Sequence, residues 1–398
     1  MTKWLSNLFV VLMSTLLGLA LIEIYLHLNG FSYPSFFIID PQMGHKLRPG
    51  AEGWFREEGE AFIKINKDGW RDREWTREKP VGTKRIAILG DSYAEALQVP
   101  QDSTFWSVLE RELNACKAFG DMKVEVMNFG VSGYGTAQEL LVFQGFAWRY
   151  MPDIVILAFT AGNDVRDNSK ALSHSLPRPY FVQDHDSLIQ DKSFIESPSY
   201  RLKDSGVWML MQKASDSFKI IQFLNLVLNR ASQIRQSSFQ QSERTDGLEP
   251  GLDDNVYREP LGSEWEEAWQ ITERLIVTLR NEVVARGAQY LLVSLSSGIQ
   301  VHPSSVIRAK FGDKLHVGDL FYPERRLQKL GEREKFDVFT LGPQLLGYAE
   351  ERQAFLHGFK NTPSGRGHWN EEGHRIAGQL IASHFCSQSR TTRTAKHA

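Results

Sequence analysis

Cysteine is nearly absent: Cys116 and Cys386 are the only two in 398 residues. Neither has CxxC or Cys/His spacing, which excludes the usual zinc and dithiol redox motifs. Both fall on expected helices, and the expectation is two partly buried free thiols. Pairing is the alternative if the domain lies outside the cytosol. A surplus of one charge is also missing. Lys and Arg total 46 against 48 Asp and Glu, a formal net charge of -2, and no basic stripe stands out, so no nucleic-acid partner is expected. No GxGxxG or Walker pattern follows an expected strand, which excludes a nucleotide- or flavin-binding sheet. The eleven His are scattered. His302, His316 and His357 have no ligand spacing around them, so neither a metal nor another cofactor is expected.

A long hydrophobic run occurs at one place, in residues 4–28. From Leu8 to Ile22 it is interrupted only by Ser14, Thr15 and Gly18. With its flanks it approaches the ~20 residues that span a bilayer. Lys3 and the amino terminus are the only charges before it, which favours a cytoplasmic amino terminus. A cleaved signal peptide is the rival reading. Cleavage after Gly18-Leu19-Ala20 would leave Leu-Ile-Glu-Ile-Tyr-Leu as the new terminus, so residues 1–30 are read as an uncleaved single-pass anchor. The rest of the chain is expected to be exported.

What is plentiful is aromatic: ten Trp and 24 Phe. They suit a groove for sugars or acyl chains as well as ordinary core packing. Residues 31–82 are rich in turn residues and aromatics. Ala61 to Ile65 alternates as a strand does, and Asn66-Lys67-Asp68-Gly69 reads as a turn. This segment is expected to be a small β-rich juxtamembrane region, with Arg71, Arg73 and Glu74 on a solvated face.

From residue 83 the chain alternates short apolar runs with amphipathic stretches. Strands are expected at Arg85 to Leu89, Val124 to Asn128, Ile154 to Phe159, Tyr290 to Ser294 and Phe336 to Leu341. Phe105, Leu109, Leu113 and Cys116 form one helical stripe, and Leu275, Leu279 and Val283 another. Thr136 to Glu139 has capping-box spacing. The order implies an α/β fold: a doubly wound, flavodoxin-like, five-stranded parallel sheet between helical layers, spanning 83–388. A helical, partly mobile insertion is expected at about 195–262. It includes helix from Ser205 to Gln233, an apolar patch at Ile220, Ile221, Phe223, Leu224, Val227 and Leu228, and a polar stretch from Ser237 to Pro260. The apolar helix suits a lid, a second membrane contact or plain packing on the core's flank. Residues 389–398 are expected to be a disordered tail.

The carboxyl ends of these strands carry the chemistry. The first runs Ile86-Ala87-Ile88-Leu89 into Gly90-Asp91-Ser92-Tyr93, which delivers a serine hydroxyl to the rim of the sheet. A serine needs a base to take its proton, and the oxyanion it creates needs fixed donors. Gly133, in Asn128-Phe129-Gly130-Val131-Ser132-Gly133, allows close approach of a backbone N–H. Asn163, in Gly162-Asn163-Asp164, offers an amide donor. His368, in Gly367-His368-Trp369-Asn370, precedes the last helix. Asp91 and Asp164 adjoin these residues and are read as loop braces.

This ordered set resembles the SGNH (GDSL-type) hydrolase superfamily, over roughly residues 82–386 apart from the insertion. The resemblance implies Ser92 as nucleophile, its own N–H with Gly133 and Asn163 as oxyanion hole, and His368 as general base. The His-Trp-Asn wording is similar to SGNH-type acetyltransferases of exported polysaccharides. One member is missing. Relatives carry an aspartate two or three residues before the histidine, where it fixes the working tautomer, and here those positions are Arg366 and Gly365. Glu371 lies three residues before His374, but the helix capped by Asn370 should carry both away. Either an acid comes from elsewhere or a backbone carbonyl orients His368.

The expected function is therefore an anchored, extracytoplasmic serine esterase acting on acetyl-sized esters of a small molecule or an envelope glycan. The alternatives are an O-acyltransferase of the same type and a glycan-binding or assembly protein that keeps the fold without turnover.

Overall fold

The computed structural model of the chain describes residues 2–173, 177–185, 187–228 and 252–396. It opens with helix α1 (Thr2–Leu28), which is long and apolar enough to cross a membrane and is not buried against the rest of the chain. Antiparallel hairpins follow: β1 (Phe37–Asp40) with β2 (Gly44–Leu47), then β3 (Glu52–Phe55) with β4 (Ala61–Lys64). In β4 the alternation read from the sequence holds, with Ala61 and Ile63 buried and Phe62 and Lys64 exposed.

The sheet begins at β5 (Thr83–Gly90) and continues through α2 (Ser92–Glu95), α3 (Phe105–Ala115), β6 (Lys123–Asn128), α4 (Thr136–Gly145), β7 (Ile154–Phe159) and α5 (Ala161–Asp167). An insertion carries the hairpin β8 (Tyr180–Asp184) and β9 (Ser187–Asp191), then α6 (Pro198–Lys203), α7 (Gly206–Ser217) and α8 (Lys219–Leu228). The core resumes with α9 (Ser263–Ala285), β10 (Gln289–Ser294), α10 (Ser305–Leu315), α11 (Tyr322–Glu334), β11 (Asp337–Thr340), α12 (Gly342–Arg352) and α13 (Glu371–Lys396).

The central sheet has five strands in the order β6-β5-β7-β10-β11, all parallel. Counted along the chain this is the doubly wound order 2-1-3-4-5, whose switch point lies between β5 and β7. The alternation of side chains splits the sheet between two apolar layers. Ala87 and Leu89 face one, with α4 and α9. Ile86 and Ile88 face the other, with α3, α12 and α13. Phe36, Leu47, Ile63 and Trp70 belong to the first layer, so the β region before the sheet shares the sheet's own core.

Several expectations are corrected. Cys116 and Cys386 form a disulfide rather than free thiols. The reason is the stripe of Phe105, Leu109 and Leu113, which packs on Ile376, Ala377 and Ile381 of α13 and brings the two cysteines together. Arg71 is not on a solvated face: it is buried and donates to the carbonyls of Glu95 (2.7 Å), Ala96 and Val99. The helix starts at Thr136, but its N-cap is Gly135 and not Thr136, with Gln138 accepting the Gly135 N–H at 3.3 Å. The hairpin β8–β9 carries no strong alternation in the sequence and was not expected. The segment expected as a disordered tail continues α13 to Lys396. Residues 229–251, which include the end of the helix expected to Gln233 and most of the polar stretch from Ser237, lie outside the described residues. Asp254–Tyr257 of that stretch is a short 3-10 turn with Tyr257 buried.

Candidate active site

β5 ends at Gly90, and Asp91 begins the turn into α2. The Asp91 carboxylate accepts from the Tyr93 N–H at 2.9 Å, capping α2. Arg71 holds the other end of that helix through the carbonyls already named, so Ser92 sits on a turn fixed at both ends.

The loop after β6 lies against the same turn. Val131 N–H donates to Gly90 O at 3.1 Å, and the Ser132 hydroxyl donates to the Glu95 carboxylate. Burial pushes the Glu95 carboxyl up to about 7, against the opposing pull of Ser132. His45 in β2 bonds Ser132 O through its Nε2 at 2.8 Å, and Tyr134 donates to His45 O at 2.6 Å. Gly133 adopts φ +75°, a left-handed conformation that glycine accepts freely and side chains do not. Among the described residues, neither the Ser92 N–H nor the Gly133 N–H donates to a protein acceptor.

Asn163, on α5 after β7, is buried. Its amide donates to the second Asp91 oxygen at 2.8 Å, which uses one of its two N–H bonds. Burial raises the Asp91 carboxyl above its ordinary range, against the hydrogen bonds from Asn163 and Tyr93. Asp164 accepts from Thr160 N–H at 2.8 Å. Both aspartates thus brace loops, and Asp91 also holds Asn163 beside the serine.

His368 completes the set. The Ser92 hydroxyl donates to its Nε2 at 2.8 Å. Its Nδ1 donates at 2.5 Å to Glu58, from the turn between β3 and β4, 310 residues away. The second Glu58 oxygen accepts from the His368 backbone N–H at 2.7 Å. A carboxylate at Nδ1 leaves Nε2 as the acceptor, which is the tautomer that can take a proton from serine. Burial alone would raise the Glu58 carboxyl, but the hydrogen bonds and charge of His368 outweigh it and hold it below its ordinary range.

The Glu58 turn is fastened to the histidine loop. Asn361 accepts from Gly59 N–H at 2.9 Å and donates to Arg56 O at 3.2 Å and Gly59 O at 3.1 Å. Gly367 has φ +80°, and a Cβ there would run into the Glu58 carboxylate. His357 donates from Nδ1 to Gly367 O at 2.7 Å; burial pushes it down to about 4, so it stays neutral. His374 points away along α13, buried, with Nδ1 accepting from Phe105 N–H at 3.3 Å. The Glu371/His374 spacing therefore has no part in the site.

The four residues read from the sequence accordingly lie on neighbouring turns at one end of the sheet. The sequence missed Glu58. Its only signal was negative, the missing acid before His368. Glu57, Glu58 and Glu60 stand together in that turn, and only Glu58 is drawn inward, the other two being exposed. Among the described residues, no group of three or more His, Cys, Asp or Glu is disposed to hold a metal.

No protein-family model matches the chain, and no curated protein matches it. Similar solved structures include an acetyl xylan esterase (13% identity, TM-score 0.38, covering 75% of this chain and 98% of that one). A lipase/acylhydrolase from Enterococcus faecalis is another (12%, TM-score 0.37, 77% and 96%). A catalytic mutant of an acetylxylan esterase from Geobacillus stearothermophilus is a third (11%, TM-score 0.39, 76% and 94%). At these scores the likenesses carry no weight for function, which rests on the geometry above.

Proposed function

We propose that the protein is an SGNH-type serine esterase whose catalytic acid comes from outside the sheet. The observation that carries this reading is the hydrogen-bonded line from Ser92 through His368 to Glu58. In the reaction, His368 Nε2 takes the Ser92 proton as Oγ attacks an ester carbonyl. Glu58 keeps the imidazole in register and stabilises the imidazolium that forms. The oxyanion is held by the Ser92 and Gly133 N–H groups and by the remaining amide N–H of Asn163. Collapse of the adduct releases the alcohol, protonated by His368, and leaves an acyl-Ser92. Water, or a sugar hydroxyl, then takes the acyl group by the same steps in reverse.

The favoured substrates are acetyl-sized esters on an envelope or exported glycan, a choice that rests on the motif resemblance. α1 is read as an anchor with its amino terminus in the cytoplasm, because Lys3 is the only charged side chain before the apolar run. The disulfide supports placing the catalytic domain on the far, oxidising side.

A fluorophosphonate probe tests the proposal. The protein should label, and Ser92→Ala should abolish both labelling and turnover of a simple acetyl ester. Absence of labelling in the unaltered protein, with glycan binding intact, would favour a binding module instead. Product analysis with a sugar acceptor present distinguishes hydrolysis from transfer.

A further inference from the structure

Helix α8 half-buries Ile220, Ile221 and Leu226 and yet exposes further apolar side chains that a helix surrounded by water would cover. It buries Gln222, which is 2% exposed, and turns Phe223, Leu224, Val227 and Leu228 outward. α7 does the same, with Met209 and Leu210 exposed while Gln212 donates to Phe37 O at 2.9 Å. These six apolar side chains are between 44% and 68% exposed. Surface helices ordinarily bury that stripe, and apolar helix faces left exposed in this way mark an interaction surface.

The polar sides of these helices are fastened to the chain just beyond α1. Gln222 accepts from Tyr33 N–H at 2.8 Å and Arg48 pairs with Asp216; at the edge of the apolar face, Phe223 also meets the Phe31 ring at 5.9 Å. The start of α8 is held by α1 itself: the Glu23 carboxylate accepts the N–H groups of Lys219 (2.7 Å) and Ile220 (2.9 Å). This contact sets a height. α1 has 27 residues, about 40 Å at ~1.5 Å per residue, against roughly 30 Å of hydrocarbon. Centred on that hydrocarbon, α1 projects about 5 Å beyond each edge, and Glu23, five residues before Leu28, lies about 7–8 Å below the helix end, so it sits about 2–3 Å inside the edge, at the headgroup and acyl boundary of a bilayer spanned by α1. That is the zone into which amphipathic interfacial helices bury their apolar faces.

We infer that α7 and α8 lie in the surface of the lipid bilayer that α1 spans, with their outward apolar faces as a second membrane contact. This rests on reading α1 as an anchor. The consequence reaches the active site. Trp54 of β3 donates to Ser32 O at 3.2 Å, and Arg56 donates to Tyr33 at 3.1 Å, so the hairpin carrying Glu58 is fixed to the same juxtamembrane segment. A bilayer contact through α7 and α8 holds the site at a set height and tilt over the membrane.

The test uses the full chain in phosphatidylcholine proteoliposomes. Single substitutions Leu17→Cys, Leu210→Cys and Leu224→Cys are labelled with an environment-sensitive fluorophore, the native cysteines being protected as a disulfide. Lipids carrying a spin label near the headgroup or along the acyl chain serve as quenchers. The inference expects blue-shifted emission and loss of intensity to lipid quenchers at Leu210 and Leu224 as well as Leu17. Quenching at Leu17 alone overturns it and leaves the anchor standing. Probes at Leu210 and Leu224 shielded from aqueous iodide yet untouched by lipid quenchers overturn it in favour of a second copy of the chain. No lipid quenching at Leu17 removes the anchor reading and this inference together.

Discussion

The sheet and the β region before it meet at one histidine but contribute in different ways. In the proposed reaction the sheet domain supplies nucleophile and oxyanion donors from the ends of β5, β6 and β7 and the base from the loop before α13, each inside a short local motif. The hairpin β3–β4 supplies one carboxylate and has no motif around it. A strand end positions the backbone, so the residues near it are constrained together and leave a pattern in the sequence. Orienting an imidazole needs only an acceptor at Nδ1, and any segment that reaches there can provide it. The acid is therefore the member of the site freest to move elsewhere in the chain.

The join between the hairpin and the sheet can be strained at several points, and Gly367 is where turnover should suffer most. Gly367→Ala forces a Cβ toward the Glu58 carboxylate at a left-handed position, and should lower kcat by about 10²-fold or more as the acid is displaced. Steady-state kinetics beside a thermal melt check that the loss exceeds any loss of fold. Asn361→Ala removes the contacts that fasten the hairpin turn to the histidine loop. It should cost about 1–3 kcal/mol of stability and lower kcat several-fold, with KM little changed. If kcat is unaffected, the hairpin holds Glu58 without that clamp.

Two further changes should leave turnover nearly intact and speak to the sheet side. Reducing the Cys116–Cys386 bond, which closes a span of 270 residues, should lower stability by about 2–5 kcal/mol, read as a drop in denaturation midpoint. Glu95 joins the nucleophile helix to the Ser132 loop, and burial raises it to about 7. The folded protein therefore keeps the Glu95 proton up to about pH 7, whereas the unfolded chain gives it up near its ordinary value of ~4.3. The favourable contribution is full below that value and is lost as pH rises toward 7. Glu95→Gln should thus gain on the unaltered protein by about 1–3 kcal/mol between pH 4.5 and 7 and level off above. A pH series of unfolding curves for both proteins checks the sign.

Much of the architecture was legible because parallel strands covered on both faces read as unbroken apolar runs, as in Ile154 to Phe159. Ser92, Gly133, Asn163 and His368 were legible for the reason given above. Glu58 was not, because its partner stands 310 residues on and its neighbours Glu57 and Glu60 look alike in sequence. Arg71 was misread in the same way: a charge in a turn-rich segment suggests solvent, and only the folded chain shows the carbonyls that hold it. The disulfide depended on the packing of α3 against α13, which periodicity alone does not fix.

In the proposed mechanism the hairpin's carboxylate works through the sheet's serine. The most direct test is a kinetic cycle on ester turnover with Glu58→Gln, Ser92→Ala and the double substitution. A glutamine offers one oxygen to two donors, the backbone N–H and Nδ1–H of His368, so one of them must face its amide. Glu58→Gln should lower kcat by about 10²- to 10⁴-fold, Glu57→Gln should not, and adding Glu58→Gln to Ser92→Ala should lower the residual rate no further. Full activity in Glu58→Gln, or equal losses with and without Ser92, would mean that Glu58 does not act through the serine.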